Sequence, residues 1–122
     1  MKLLLTLTAI IEGTTGLALM TAPSVVVRLL LGSEISGAGI PLGRVAGFGL
    51  LSLGIACWPG RGTAGNTTPA LRAMLTYNSL ATLYLLSLGI RGEWVGRLLW
   101  PAAVVHGILS LLLARHWLAM RR

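Results

Sequence analysis

Four long apolar stretches constrain this chain more than any other feature of its sequence. They cover approximately residues 3–20, 37–58, 69–90 and 95–117. The length of each is close to the roughly 20 helical residues that cross a bilayer. Because backbone groups in hydrocarbon must bond within their own segment, each stretch is predicted to be a helix. None alternates polar and apolar residues with a period of two, which argues against a barrel. The sequence therefore predicts an all-α bundle of four transmembrane helices, a single membrane domain over residues 1–122.

The composition excludes a water-soluble fold. Charged residues make up 11% of the 122 residues and hydrophobic residues 55%, whereas an ordinary soluble domain is about 25% charged. A chain this small has a large surface for its volume, and so few charges cannot cover it. The net charge of +7 comes from basic residues that lie mostly at the ends of the apolar stretches, as lipid headgroups favour, so no nucleic-acid partner is expected. The single Cys57 excludes an internal disulfide and is expected to pack as a small hydrophobe.

A short apolar segment separates the first two spans. Pro23 suits the first turn of a helix and Gly32 suits its end, so residues 23–31 are predicted to form a helix. Nine residues are too few to cross a bilayer, and we expect this helix to lie at the membrane interface with Arg28 reaching the headgroups. The segment 93–100 is similar, since both contain Val followed by Arg-Leu-Leu. The fourth span is therefore expected to begin at residue 95 or at residue 101.

The first apolar stretch could instead be a cleaved secretory signal. Glu12 interrupts its apolar part, and Met20-Thr21-Ala22, followed by Pro23, is a poor cleavage site. We therefore expect an uncleaved first span.

The basic residues predict the direction of the four spans, because cytoplasmic loops carry an excess of Lys and Arg. With the N-terminus inside, six basic residues lie on the cytoplasmic side: Lys2, Arg61, Arg72, Arg115, Arg121 and Arg122. The other side holds Arg28, Arg91 and Arg97. Both termini are thus expected in the cytoplasm, in a multi-pass protein of the cell inner (plasma) membrane. Four tryptophans near the span ends are expected to act as interfacial anchors: Trp58, Trp94, Trp100 and Trp117.

Each predicted span contains one strongly polar residue: Glu12, Arg44, Asn78 and His106. Glu12 lies about 14 Å from the inner end of its span and Asn78 about 12 to 14 Å from the same side. His106 lies near mid-depth if its helix takes the earlier of the two starts, and Arg44 lies in the outer part of the second span. Because an ionised group in hydrocarbon costs several kcal/mol, these side chains are expected to face inward and form a polar cluster.

Two interpretations of this cluster are open. In the structural one, Glu12 and Arg44 form an ion pair, and Asn78 and His106 hydrogen-bond between helices. In the functional one, Glu12 is a proton- or cation-binding carboxylate and His106 is its titratable neighbour. The presence of Arg44 favours the structural interpretation, and a buried carboxylate without an arginine nearby would favour the functional one.

The second span has small residues at helix-packing spacing, with Gly39, Gly43 and Gly47 four residues apart. Such a face lets two helices approach closely, either within the chain or against another subunit. The sequence has no glycine-rich phosphate loop, no histidine pair at metal-ligand spacing and no Ser-His-acid set within plausible reach. We therefore expect no catalytic residues, no metal site and no cofactor, and the chain is not expected to be an enzyme.

The architecture resembles that of the small four-helix bacterial inner-membrane proteins called DoxX-like. The resemblance lies in a short first span, an interfacial segment, two further spans, and a glycine-rich second span with Gly43-Arg44-Val45-Ala46-Gly47 near its start. It covers most of the chain and implies a membrane accessory protein, in some cases linked to quinone or thiol redox systems. The chain lacks the cysteine pairs that thiol chemistry needs.

The first span is also similar to that of the small multidrug resistance exporters, in Ala9-Ile10-Ile11-Glu12-Gly13-Thr14-Thr15. That family is similar in length and span count, and its first-helix Glu alternates between a proton and a cationic substrate. The resemblance implies that Glu12 is an exchange site. The chain departs from the family in its interfacial helix, in Arg44 and in its third span.

Three functions follow as hypotheses. The first is a non-catalytic accessory subunit that packs against a larger membrane complex, with other membrane subunits or further copies of itself as partners in the bilayer. The second is a proton-coupled exporter of small cationic compounds that uses Glu12. The third is a quinone- or haem-associated electron-transfer component that uses His106.

Overall fold

The computed structural model describes residues 1–59 and 67–122 and consists of helices joined by short connections. It contains five helices: α1 (Lys2–Thr21), α2 (Pro23–Leu31), α3 (Gly39–Ala56), α4 (Thr68–Arg91) and α5 (Leu99–Met120). All but α2 are long and apolar enough to cross a membrane. The prediction of an all-α bundle with four spans and one short helix is confirmed. Arg61, which entered the prediction of direction, lies outside the described residues.

The helices pack as two close pairs, α1 with α3 and α4 with α5. Glycines bring the backbones of the first pair into contact. A Cβ atom on Gly47 would lie only 2.6 Å from the carbonyl oxygen of Gly16, and one on Gly54 only 2.8 Å from that of Ala9. The close approach expected of the second span is therefore made within the chain, against α1.

The other two glycines of that predicted face have different neighbours. A Cβ atom on Gly43 would lie 2.9 Å from the Cβ of Pro23, so Gly43 accommodates the start of α2. Gly39 is close only to the side chain of Ile35, four residues earlier. The packing face of α3 thus continues towards its C-terminal end through Gly54 and does not include Gly39.

The short helix α2 begins and ends where its sequence predicts. Pro23 occupies its first turn, and Gly32 ends it in the left-handed conformation with φ 70°. Arg28 is exposed and forms an ion pair with Glu34.

The segment before α5 corrects the expectation of a second short helix. Residues 93–98 are irregular, and α5 begins at Leu99, between the two expected starts. The amides of Gly96 and Leu98 donate hydrogen bonds of 3.0 and 2.8 Å to the carbonyls of Leu30 and Leu29. These carbonyls lie in the last turn of α2, where helices leave acceptors unpaired, so the segment completes α2 and is not itself a helix.

The core has two apolar clusters with a polar layer between them. The first consists of Leu4, Leu5, Ala9, Cys57, Leu71, Met74, Leu109 and Leu113, and the second of Leu85, Leu88, Leu99 and Ala103. Asn78 on α4 and His106 on α5 each lie between the residues that their helix contributes to the first cluster and those it contributes to the second. Cys57 is buried among apolar neighbours, as expected, and the fold places the polar residues near the middle of the bundle.

The four tryptophans lie near the ends of the long helices. Three of them are exposed: Trp58, Trp94 and Trp100. Trp117 is half-buried, with the guanidinium carbons of Arg72 and Arg121 at 5.0 and 4.5 Å from its ring centre. Such cation–π contacts place a basic residue and an aromatic ring together, a combination suited to the headgroup region.

Candidate functional site

Three of the four polar residues predicted to meet inside the membrane do lie together. The Nδ1 atom of His106 on α5 lies 2.7 Å from the side-chain oxygen of Asn78 on α4. The same Nδ1 atom lies 3.7 Å from a carboxylate oxygen of Glu12 on α1. Glu12 and Asn78 are 1% and 0% exposed. The polar layer therefore joins the two helix pairs, because α1 belongs to one and α4 and α5 to the other.

Arg44 does not take part, so the Glu12–Arg44 ion pair of the structural interpretation is wrong, whereas the hydrogen bond between helices that it expected of Asn78 and His106 is present. Arg44 is exposed on α3, and among the described residues the only basic side chain within ion-pair distance of Glu12 is that of His106. The reason is the antiparallel register of α1 and α3, in which Gly47 contacts Gly16 and Gly54 contacts Ala9. This register sets Arg44 about 14 Å along the helix axis from the level of Glu12.

Tyr77 completes the site and was missed by the sequence reasoning. Its ring packs edge-on against the ring of His106, with centroids 5.8 Å apart and an interplanar angle of 78°. Its phenol interacts with the Glu12 carboxyl, without reaching the geometry of a full hydrogen bond. A signal was present, because Tyr77 is an amphipathic aromatic residue in the middle of a span, whereas such residues usually lie near span ends.

Asn78 determines which nitrogen of His106 carries the proton. The side-chain nitrogen of Asn78 donates a 2.9 Å hydrogen bond to the carbonyl of Met74, so its side-chain oxygen is the atom that faces His106. An amide oxygen can only accept, and Nδ1 must therefore be the donor in this pair. In a neutral ring the other nitrogen, Nε2, then carries a free lone pair.

The Glu12 carboxyl is left without a full hydrogen bond. Neither of its oxygens has a hydrogen-bond partner in the part of the chain that the structure describes. Buried polar groups in proteins are nearly always paired, and a bare buried charge costs several kcal/mol. A proton or a cation is what would neutralise a carboxylate at this position.

An apolar cavity of about 910 Å³, open to the outside of the bundle beside the exposed Leu80, adjoins this cluster. Its walls come from all five helices and include Leu30 of α2, Leu50 of α3 and Leu80 of α4. Tyr77 and His106 line it as well, whereas Glu12 lies behind them and is not part of its surface. No Lys, Arg, Asp or Glu occurs among the described residues that line the cavity. A site of this size, mainly apolar with a few polar groups, is typical of small-molecule binding.

Within residues 1–59 and 67–122, no three His, Cys, Asp or Glu side chains come together where they could hold a metal ion. Comparisons with protein-family models, with curated proteins and with solved structures found no match to this chain. The two family resemblances therefore stay predictions. Fold and site define a four-span helical membrane protein whose buried carboxyl lies behind the polar end of an apolar cavity.

Proposed function

We propose that this protein exchanges protons for small lipophilic cations, with Glu12 as the carboxyl that holds the proton or balances the charge of a cation in the adjoining cavity. The observation that carries the proposal is a buried carboxyl whose oxygens have no hydrogen-bond partner among the described residues, next to an apolar cavity. The ion pair of the structural interpretation is absent among the described residues because Arg44 is exposed, whereas the hydrogen bond between Asn78 and His106 that it included is present. A bare carboxylate is unstable in hydrocarbon. Loss of the proton therefore favours binding of a cation, and release of the cation favours binding of a proton. One proton leaves the carboxyl for each cation that enters the cavity in front of it.

The surroundings of the carboxyl support a cationic ligand over an anionic one. The polar groups that face Glu12 are His106 from α5 and Tyr77 and Asn78 from α4. At this level α3 contributes no charged side chain among the described residues, since its Arg44 is exposed and far along the axis. A cation at this end of the cavity would meet the aromatic ring of Tyr77 and the negative charge behind it. An anion would meet no permanent positive charge.

Proton release on ligand binding tests the proposal. Tributylmethylammonium is a suitable probe because its charge is permanent, so any proton released must come from the protein. Added to the purified protein in weakly buffered detergent with a pH-sensitive dye, it should release up to one proton per chain. Glu12→Gln should release none.

Glu34→Gln is the matched control, since Glu34 is an exposed carboxyl paired with Arg28. It should release protons as the wild-type protein does. A helical circular-dichroism spectrum and a monodisperse elution peak show that the Glu12→Gln protein is folded. Wild-type-like proton release from folded Glu12→Gln would refute the proposal, as would a wild-type protein that binds no lipophilic ammonium ion, tertiary or quaternary.

We further propose that the protein resides in the cell inner (plasma) membrane with both termini in the cytoplasm. The support is the distribution of basic residues. Lys2, Arg72, Arg121 and Arg122 lie at or next to the helix ends that share the side of the termini, whereas Arg28, Arg91 and Arg97 lie towards the other side.

The accessory-subunit hypothesis is the second candidate. Its supporting observation is the exposure of α3, the least covered of the four spans, in which only 11% of the residues are buried. Its exposed large apolar residues include Leu42, Val45, Phe48 and Ile55. The glycines that first suggested a partner give it little support, because Gly47 packs on α1 and Gly43 on α2, and only Gly39 contacts neither helix. Purification in mild detergent discriminates between the two candidates. A stoichiometric membrane partner would favour the accessory role, and a small homo-oligomer alone would count against it.

A further inference from the structure

His106 presents one nitrogen to the cavity and the other to the interior. Its Nδ1 faces Asn78 and Glu12, neither of which lines the cavity. The ring itself does line it, so the edge that carries Nε2 is the part of the ring available there. Among the described residues Nε2 has no hydrogen-bond partner. The cavity therefore contains a hydrogen-bond acceptor in the position where a ligand would meet the polar end.

We propose that His106 makes the site selective for cations that carry an N–H group, that is, for protonated amines over quaternary ammonium ions. This inference rests on the proposed cation exchange at Glu12 and names its substrate class. A protonated amine donates its N–H to Nε2, while the ammonium charge is balanced by the Glu12 carboxylate behind the ring. A quaternary ion keeps the charge and the apolar contacts but has no proton to donate.

Asn78 fixes His106 in the tautomer that this selection requires. The hydrogen bond to Asn78 holds the proton on Nδ1, so Nε2 of the neutral ring can only accept. A histidine without such a partner could change tautomer and offer a donor instead. Asn78 is in this sense a positioning residue, which acts on the ligand through His106 and is shielded from the cavity by it.

Two matched cations test the proposal. Tributylammonium and tributylmethylammonium differ only in an N–H replaced by N–CH₃, and both are charged at neutral pH. Their affinities are measured by isothermal titration calorimetry on the full chain in lipid nanodiscs, with empty nanodiscs as the blank. Because a hydrogen bond to a charged group is worth more than a neutral one, the wild-type protein should bind tributylammonium roughly 10- to 100-fold more tightly.

Variants of His106 locate the source of the preference. His106→Phe keeps an aromatic ring for the edge contact with Tyr77 but has no nitrogen, so its two affinities should become equal. His106→Gln places an amide oxygen near the position of Nε2 and should keep part of the preference. Tributylmethylammonium should still bind to both variants, which separates loss of selectivity from loss of folding.

The outcomes separate this inference from the proposed function. Equal binding of the two cations by the wild-type protein, with proton release still dependent on Glu12, would overturn the selectivity and leave cation exchange intact. A preference that persists unchanged in His106→Phe would also overturn it. Failure of both cations to bind to the wild-type protein would instead refute the proposed function.

The tautomer provides a second, ligand-free measurement. In ¹⁵N NMR spectra of histidine-labelled protein, the neutral ring of His106 should show the proton on Nδ1, and a His116→Gln variant assigns the signal. Asn78→Leu should shift that ring towards the Nε2–H form that predominates without a partner. An Nε2–H ring in the wild-type protein would contradict the proposed acceptor.

Discussion

Replacement of Gly47 by alanine tests the packing on which the bundle depends. A Cβ atom there would lie 2.6 Å from the carbonyl oxygen of Gly16 and 2.8 Å from the amide nitrogen of Met20. Both neighbours are backbone atoms, so no side chain can rotate away to make room. Relief requires α1 and α3 to move apart, by about 1 Å if the Cβ is to reach van der Waals separation. The expected loss is about 1–3 kcal/mol of unfolding free energy.

Gly49→Ala is the matched control, because it is the same chemical change two residues along the same helix. A Cβ atom on Gly49 would have no neighbour within 4 Å. This variant should be unchanged or more stable by up to about 1 kcal/mol, since alanine is the better helix former.

The assay is reversible unfolding in mixed micelles, in which the fraction of sodium dodecyl sulfate is raised and helicity is followed by circular dichroism. Gly47→Ala should unfold at a clearly lower fraction than the wild-type protein, and Gly49→Ala should not. If the two variants unfolded together, the glycine contact between α1 and α3 would not be what holds this pair.

Three further predictions concern other parts of the molecule. Arg44→Ala should change the unfolding free energy by less than about 0.5 kcal/mol, because Arg44 is exposed. A loss of several kcal/mol would instead support an ion pair between Arg44 and Glu12. Gly96→Ala should lower the thermal unfolding temperature in detergent, because its Cβ would collide with the carbonyl oxygen of Leu29; an unchanged temperature would show that the 93–98 segment is not docked on α2. Alkaline phosphatase, active only outside the cytoplasm, should be active when fused after Glu34 and inactive when fused after residue 122, and the opposite pattern would reverse the proposed direction.

Much of the fold could be predicted from the sequence, because a bilayer leaves few choices. The length of the apolar stretches determines the number of spans, and the backbone requirement makes each of them helical. Local chemistry also predicts the bounds of α2. Pro23 has no amide hydrogen, so it is tolerated in the first turn of a helix and not in its interior, and Gly32 adopts the left-handed conformation that ends a helix. The inward position of Glu12, Asn78 and His106 follows from the cost of polar groups in lipid.

The partners of these side chains could not be predicted in the same way. Helical periodicity defines the face and depth of a residue within its own helix, but the offset and rotation between two helices depend on how their surfaces pack. Here the glycine contacts of α1 with α3 set an antiparallel register that removes Arg44 from Glu12. The packing of α4 on α5 brings Tyr77 and His106 together. A carboxyl that the amino-acid order alone would pair with an arginine is thereby left beside a histidine and a cavity.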